Sequence, residues 1–146
     1  MNQISERLAS LSPSETLAMS QKSNELKAQG IDIINLSVGE PDFNTPDHIK
    51  AAAKKAIDDN FSFYSPVPGY MDLRKAICAK LKDENALEFT PDQIVVSNGA
   101  KQSICNAILS LIDSEDEVII PAPYWVSYVE MVKLAEGKSV IITAGI

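Results

Sequence analysis

Ile94-Val95-Val96-Ser97-Asn98-Gly99-Ala100-Lys101-Gln102 is an apolar, β-type run that breaks at Asn98-Gly99 and opens directly into a helical pattern. The break leaves the N–H groups of a helix start, with their partial positive charge, aimed at whatever lies before it, and a nearby anion gains roughly 0.3–1 kcal/mol there. Such a turn suits a phosphate. An ordinary strand-to-helix connection uses the same residue types, and both nucleotide-binding fingerprints, G-x-x-x-x-G-K-[ST] and G-x-G-x-x-G, are absent.

Downstream the pattern alternates regularly. With Ile94–Ser97 as a first strand, helix 100–112, strand 117–120, helix 126–135 and strand 139–143 follow, a βαβαβ series. The fold class is therefore α/β. Right-handed crossovers and a parallel sheet covered on both faces are predicted, and Ile104, Cys105, Ile108, Leu109, Leu111 and Ile112 supply the first crossover helix with a broad apolar surface. The series stops at Ala144-Gly145-Ile146, directly after its third strand, with no helix, turn or tail to cover that edge. The sequence reads as truncated, the remainder lying beyond residue 146.

Upstream, residues 1–30 form a polar arm in which Ser14 N-caps a helix running to about Gln29 and stopped by Gly30. Ile31 to Val38 is a short β-type run ending at Gly39, and Glu40-Pro41-Asp42 turns the chain. Thr45-Pro46 offers an N-cap and a first-turn proline for a helix through about Asp59, whose Lys50, Lys54 and Lys55 face water. Phe61 to Tyr70, with two prolines and a glycine, is an ordered loop. Leu73, Ile77 and Leu81 recur every four residues, which makes Met71 to Asn85 an amphipathic helix, and Phe89-Thr90-Pro91-Asp92 turns into the next strand.

The 146 residues fit one ordinary domain, and 45% hydrophobic with 23% charged residues indicates neither disorder nor a fibre. A net charge of −7 opposes attraction to nucleic acid or anionic lipid. Residues 1–12 carry Glu6 and Arg7 without an apolar core, so no secretory signal is read there, and no run spans a bilayer. Cys78 and Cys105 sit in helical apolar patterns as small hydrophobes, and His48 is the only histidine, so neither a histidine-based metal cluster nor a His-containing triad is expected. A reduced, cytoplasmic setting follows.

Four positions could carry chemistry, each with a plainer alternative. Trp125, at the carboxyl end of a parallel strand after Pro123-Tyr124, could stack on a flat ring or fill a core or an interface. Gly39 could admit a substrate carboxylate close to the backbone or simply make a turn. The Tyr64 phenol could reach a phosphate or pack at the surface, and Lys101, unfavourable near a helix N-terminus by itself, could pair with an anion or only solvate the turn.

Taken together, Gly39-Glu40-Pro41-Asp42-Phe43-x-Thr45-Pro46, Tyr64-Ser65-Pro66-x-x-Gly69 with Leu73-Arg74, Ser97-Asn98-Gly99-Ala100-Lys101-Gln102 and Pro123-Tyr124-Trp125-Val126-Ser127-Tyr128 resemble the N-terminal part of a class I pyridoxal-phosphate aminotransferase. The bacterial aspartate type is the nearest pattern, and the resemblance covers nearly all of the chain in order and spacing. It implies the N-terminal portion of that fold, with residues 1–45 as arm and part of the small domain and 46–146 as part of the large, cofactor-binding domain. It implies that the backbone of Gly99, Ala100 and Lys101 holds the cofactor phosphate, that Trp125 stacks on the pyridine ring, and that Tyr64 touches the phosphate in the neighbouring subunit of a homodimer. Gly39 is implied to lie against the substrate α-carboxylate, with Trp125 beside it. Lys101, Ser14 and Thr16 are implied to recognise the acidic side chain of a dicarboxylic substrate.

The implied activity moves an amino group between an amino acid, aspartate or glutamate, and a 2-oxo acid. No catalytic residue of the family falls within the chain: the cofactor-linking lysine, the aspartate on the pyridine nitrogen and the arginine for the α-carboxylate are all implied beyond residue 146. The isolated chain is accordingly expected to be inactive. Rival readings are another class I aminotransferase (aromatic or alanine), a β-lyase, or a noncatalytic assembly module of this length. A nicotinamide-binding unit is disfavoured because Pro121-Ala122-Pro123 stands where an acidic residue is needed.

Overall fold

Glu117–Ala122 and Lys138–Thr143 pair as parallel strands in the computed structural model, which describes residues 4–145. In chain order the elements are α1 (Glu6–Ala9), α2 (Glu15–Ala28), α3 (Asp47–Asp58), α4 (Met71–Asn85), a 3-10 turn (Pro91–Gln93), α5 (Gly99–Leu111), β1 (Glu117–Ala122), α6 (Ser127–Leu134) and β2 (Lys138–Thr143). The chain divides into two compact units. One joins the chain up to Glu40 with the chain from Ile104, and the other is Pro41–Ser103.

The first unit is organised by the β1-α6-β2 crossover. Parallel strands cannot be joined by a hairpin, and α6 makes the return while packing on both of them. Its Met131 and Val132 are buried with Ile120 of β1, and Val132 retains 0% exposure. Ile120 stands opposite Ile141 in the ladder, and Ala144 N–H continues the pairing to Ala122 O at 3.1 Å. At the N-terminal side, Ser14 Oγ accepts from Leu17 N–H at 3.4 Å and caps α2, which closes at Gln29 just before Gly30, as its sequence predicts.

The second unit holds α3, the 61–70 loop, α4 and the start of α5. Helix α4 has the limits its four-residue periodicity predicts. Arg74, the one buried charged side chain among the described residues, sends Nη1 to Pro91 O at 2.9 Å and so ties α4 to the 3-10 turn. Thr90 and Gln93 form a capping box around that turn. The 61–70 loop is closed by an edge-on contact of Phe61 with Tyr70, ring centroids 5.9 Å apart.

Several expectations fail, most of them for want of a neighbouring strand. Ile31–Val38 and Ile94–Ser97 are not strands, because a strand requires a neighbouring ladder and no described residue supplies one to either run. Leu36 is accordingly 90% exposed. The expected βαβαβ series is reduced to its last βαβ, with a sheet of two strands. One crossover covers one face, so Ile119 on the other face of β1 remains exposed, and coverage on both faces is not observed. Leu109 and Leu111 of α5 are exposed too, whereas Ile104, Cys105, Ile108 and Ile112 are half-buried. Thr45 does not cap α3: Pro46 occupies the N-cap position, and its carbonyl accepts from Ile49 and Lys50 N–H.

Replacing Val132 by Ala removes two methyl groups from the point where α6 meets the sheet, and should lower the unfolding free energy by about 2 kcal/mol, measured by urea denaturation followed by circular dichroism.

Candidate functional site

The turn at 97–101 has the polar layout of an anion cradle. Gly99 adopts φ +78°, a left-handed conformation that costs glycine little, and its N–H donates to Ser97 O at 2.9 Å. Helix geometry provides no intrahelical acceptor for the first N–H groups of α5, and its first turn contains no acidic side chain to neutralise the positive end. Gln102, to which sequence reading assigned no role, folds back so that its Oε1 accepts from Asn98 N–H at 2.5 Å. Gln102 stands four residues after Asn98, one position beyond that of a capping box, so that motif does not announce the contact.

A neighbouring loop supports this turn. Gly69 N–H closes on Pro66 O at 2.9 Å, and Val96 N–H donates to Pro68 O at 3.0 Å. Gly69 sits at φ +97°, and a Cβ there would stand 2.6 Å from Val96 Cγ2 and 2.9 Å from Val96 Cβ. Only glycine allows the loop to lie against the strand-like run that leads into the turn. In the same unit Tyr64 is fully exposed and lines a hollow of about 420 Å³ with Ser62, Phe63 and Ser65.

The first unit carries the other candidates. Trp125 lies between the end of β1 and the start of α6, where it is 40% exposed and meets Tyr128 edge-on at 5.6 Å between centroids. Tyr128 N–H donates to Trp125 O at 3.0 Å, so the indole is carried on the first turn of α6. The stretch before Gly39 is fastened to α2: Asn35 Oδ1 accepts from Ser37 N–H at 3.0 Å, Ser37 Oγ at 2.6 Å and Ser23 Oγ at 3.4 Å. The backbone at Gly39 is open, with nothing within 4 Å of where a Cβ would be. Ser14 and Thr16 stand at the start of α2, Thr16 half-buried. Gly39, Ser14, Thr16 and Trp125 thus share one unit, and Gly99, Ala100, Lys101 and Tyr64 the other.

Sequence reading also missed Glu130. Its Oε2 accepts from Ser12 N–H at 2.9 Å across 118 residues, and Oε1 accepts from Lys133 Nζ at 2.8 Å. The Lys133 hydrogen bond and then the Ser12 amide lower the Glu130 pKa, against a smaller opposing effect of burial. No pattern within α6 announces a partner so distant. Among the described residues no group of His, Cys, Asp and Glu could hold a metal ion, and no helix is long and apolar enough to cross a membrane.

The chain resembles known proteins over most of its length. Residues 31–144 match the family described as aminotransferase class I and II. The chain is 54% identical over 140 residues to an aspartate aminotransferase of Pinus pinaster, covering 95% of this chain and 28% of that one. It is likewise 54% identical over 143 residues to an aspartate/prephenate aminotransferase of Nitrosomonas europaea, covering 98% and 36%. Among solved structures, the aspartate aminotransferase of Thermus thermophilus with maleate superposes with a TM-score of 0.94 at 41% identity, over 99% of this chain and 38% of that one. The chain belongs to the class I and II aminotransferases, and it spans about a third of the length of these relatives.

Gly69→Ala should push Val96 away and break its hydrogen bond to Pro68, seen as loss of amide-exchange protection at Val96 while α4 keeps its own. Because the Glu130 carboxyl is held below its ordinary 4.5, the stabilisation it contributes is present above that value and lost as pH falls through the lowered one. The amide shift of Ser12 should therefore titrate with the Glu130 carboxyl, with a midpoint below the ordinary carboxylate value.

Proposed function

We propose that this chain is the phosphate- and ring-binding part of a pyridoxal-phosphate aminotransferase, with residues 1–45 serving as arm and part of the small domain and 46–146 as part of the large domain. The substrates are an acidic amino acid, aspartate or glutamate, and a 2-oxo acid. The relatives named for prephenate as well as aspartate favour a carboxylate-rich pair. The setting is cytoplasmic and the working form a homodimer in which Tyr64 reaches the neighbouring site.

The residues fit the cofactor. Its dianionic phosphate suits a helix start without a carboxylate and with a left-handed glycine, and its flat pyridine suits a partly exposed indole. The opening of α5 is the observation that carries the reading. When bound, the cofactor supplies an electron sink at the substrate Cα and carries the amino group between the two substrates. This chain's own residues bind and orient. The left-handed turn at Gly99 and the amides of Ala100 and Lys101 hold the phosphate, Trp125 lies on the ring, and Gly39 leaves backbone open to the α-carboxylate. The Lys101 ammonium, with Ser14 and Thr16, selects a second carboxylate by charge and hydrogen bonding. These are positioning contributions; no group that moves a proton at Cα is assigned within the chain.

A protein of the relatives' length that begins with this chain should retain yellow pyridoxal phosphate through dialysis. Gly99→Ala, strained at φ +78°, and Trp125→Ala should each weaken that binding by about tenfold. Pyridoxal without its phosphate should be insensitive to Gly99→Ala and still sensitive to Trp125→Ala. Two variants that bind both compounds as the parent does would overturn the assignment.

A further inference from the structure

We propose that Glu130 is a positioning residue for the substrate-selecting arm, a role that rests on reading Ser14 and Thr16 as selectors of the acidic side chain. Both of its carboxylate oxygens are used by donors from different sources. Lys133 Nζ, one turn along α6, takes Oε1, and Ser12 N–H takes Oε2. The carboxylate stands on the most firmly held element of its unit, because the next two residues, Met131 and Val132, are the buried ones that fasten α6 to the sheet. Helix α1, just before Ser12, also packs on α6.

Ser12 is separated from Ser14 only by Pro13, whose ring fixes its own φ and so shortens the list of free backbone torsions between the clasp and the cap of α2. Holding the Ser12 amide therefore restricts where α2 begins, and with it Ser14 and Thr16. The Ser14 hydroxyl is at the same time engaged by Leu17 N–H, so its direction follows the helix start. Lys133 favours the ionised carboxylate, which makes the hydrogen bond to Ser12 a charge-assisted one.

The test uses the protein of the relatives' length with Glu130→Ala, Glu130→Gln and the double variant S14A/T16A. Loss of the clasp should speed exchange of the Ser12 amide by about tenfold in Glu130→Ala, with Glu130→Gln, which keeps an acceptor oxygen, in between. KM for aspartate should rise several-fold with kcat nearly unchanged, KM for alanine should not move, and S14A/T16A should show the same selective loss. If S14A/T16A shifts aspartate KM and neither Glu130 variant does, the clasp does not position the arm and the proposal falls alone. If S14A/T16A leaves the preference for aspartate intact, the selector reading falls and takes the proposal with it. Equal losses for aspartate and alanine in the Glu130 variants would mean a structural role only, and would likewise overturn it.

Discussion

Two parallel strands cannot be connected by a tight turn, and the crossover this forces between β1 and β2 is the constraint on which the first unit depends. Helix α6 has eight residues with which to cross back over the sheet, and it buries Met131 and Val132 as it does so. Three features of the unit lie along that crossover. Trp125 precedes the first turn of α6, Glu130 projects from its middle to hold the arm, and Gly137 follows its end. At Gly137 a Cβ would come within 2.7 Å of Ile112 Cγ2, so the chain must pass that point without a side chain.

The second unit is held by polar accounting more than by apolar burial. Arg74 is the only described residue of that unit to be buried, and its guanidinium binds the carbonyl of Pro91. The run 94–97 has no ladder, so its amides find partners locally: Val96 on Pro68, Asn98 on Gln102, Gly99 on Ser97. Each is a backbone donor that would otherwise be left without an acceptor inside the chain. The turn at 97–101 is thus held by short-range contacts from a proline-glycine loop and a folded-back glutamine, and the helix behind it presents the positive end of its dipole there.

Helices were legible because their signals are local. The four-residue recurrence of Leu73, Ile77 and Leu81, the Ser14 cap and the Gly30 stop require only neighbours along the chain, and α2 and α4 formed where these signals stand. Strands were legible only as far as partners exist among the described residues. Glu117–Ala122 and Lys138–Thr143 found each other, while the equally β-prone Ile31–Val38 and Ile94–Ser97 had no ladder to join. Propensity names a candidate strand, but hydrogen bonds to a neighbour make one.

The sequence by itself determined the family and the residue types at the candidate site, because motifs at fixed spacing, such as Ser97-Asn98-Gly99-Ala100-Lys101 and Pro123-Tyr124-Trp125, encode local turn chemistry. Tertiary structure alone decided what supports them. That Gly69 is needed by Val96, that Gln102 closes the turn, and that Glu130 grasps an amide 118 residues away all follow from which surfaces meet after folding. Contacts between distant segments are set by packing and by the need to satisfy polar groups, neither of which leaves a periodic mark along the chain.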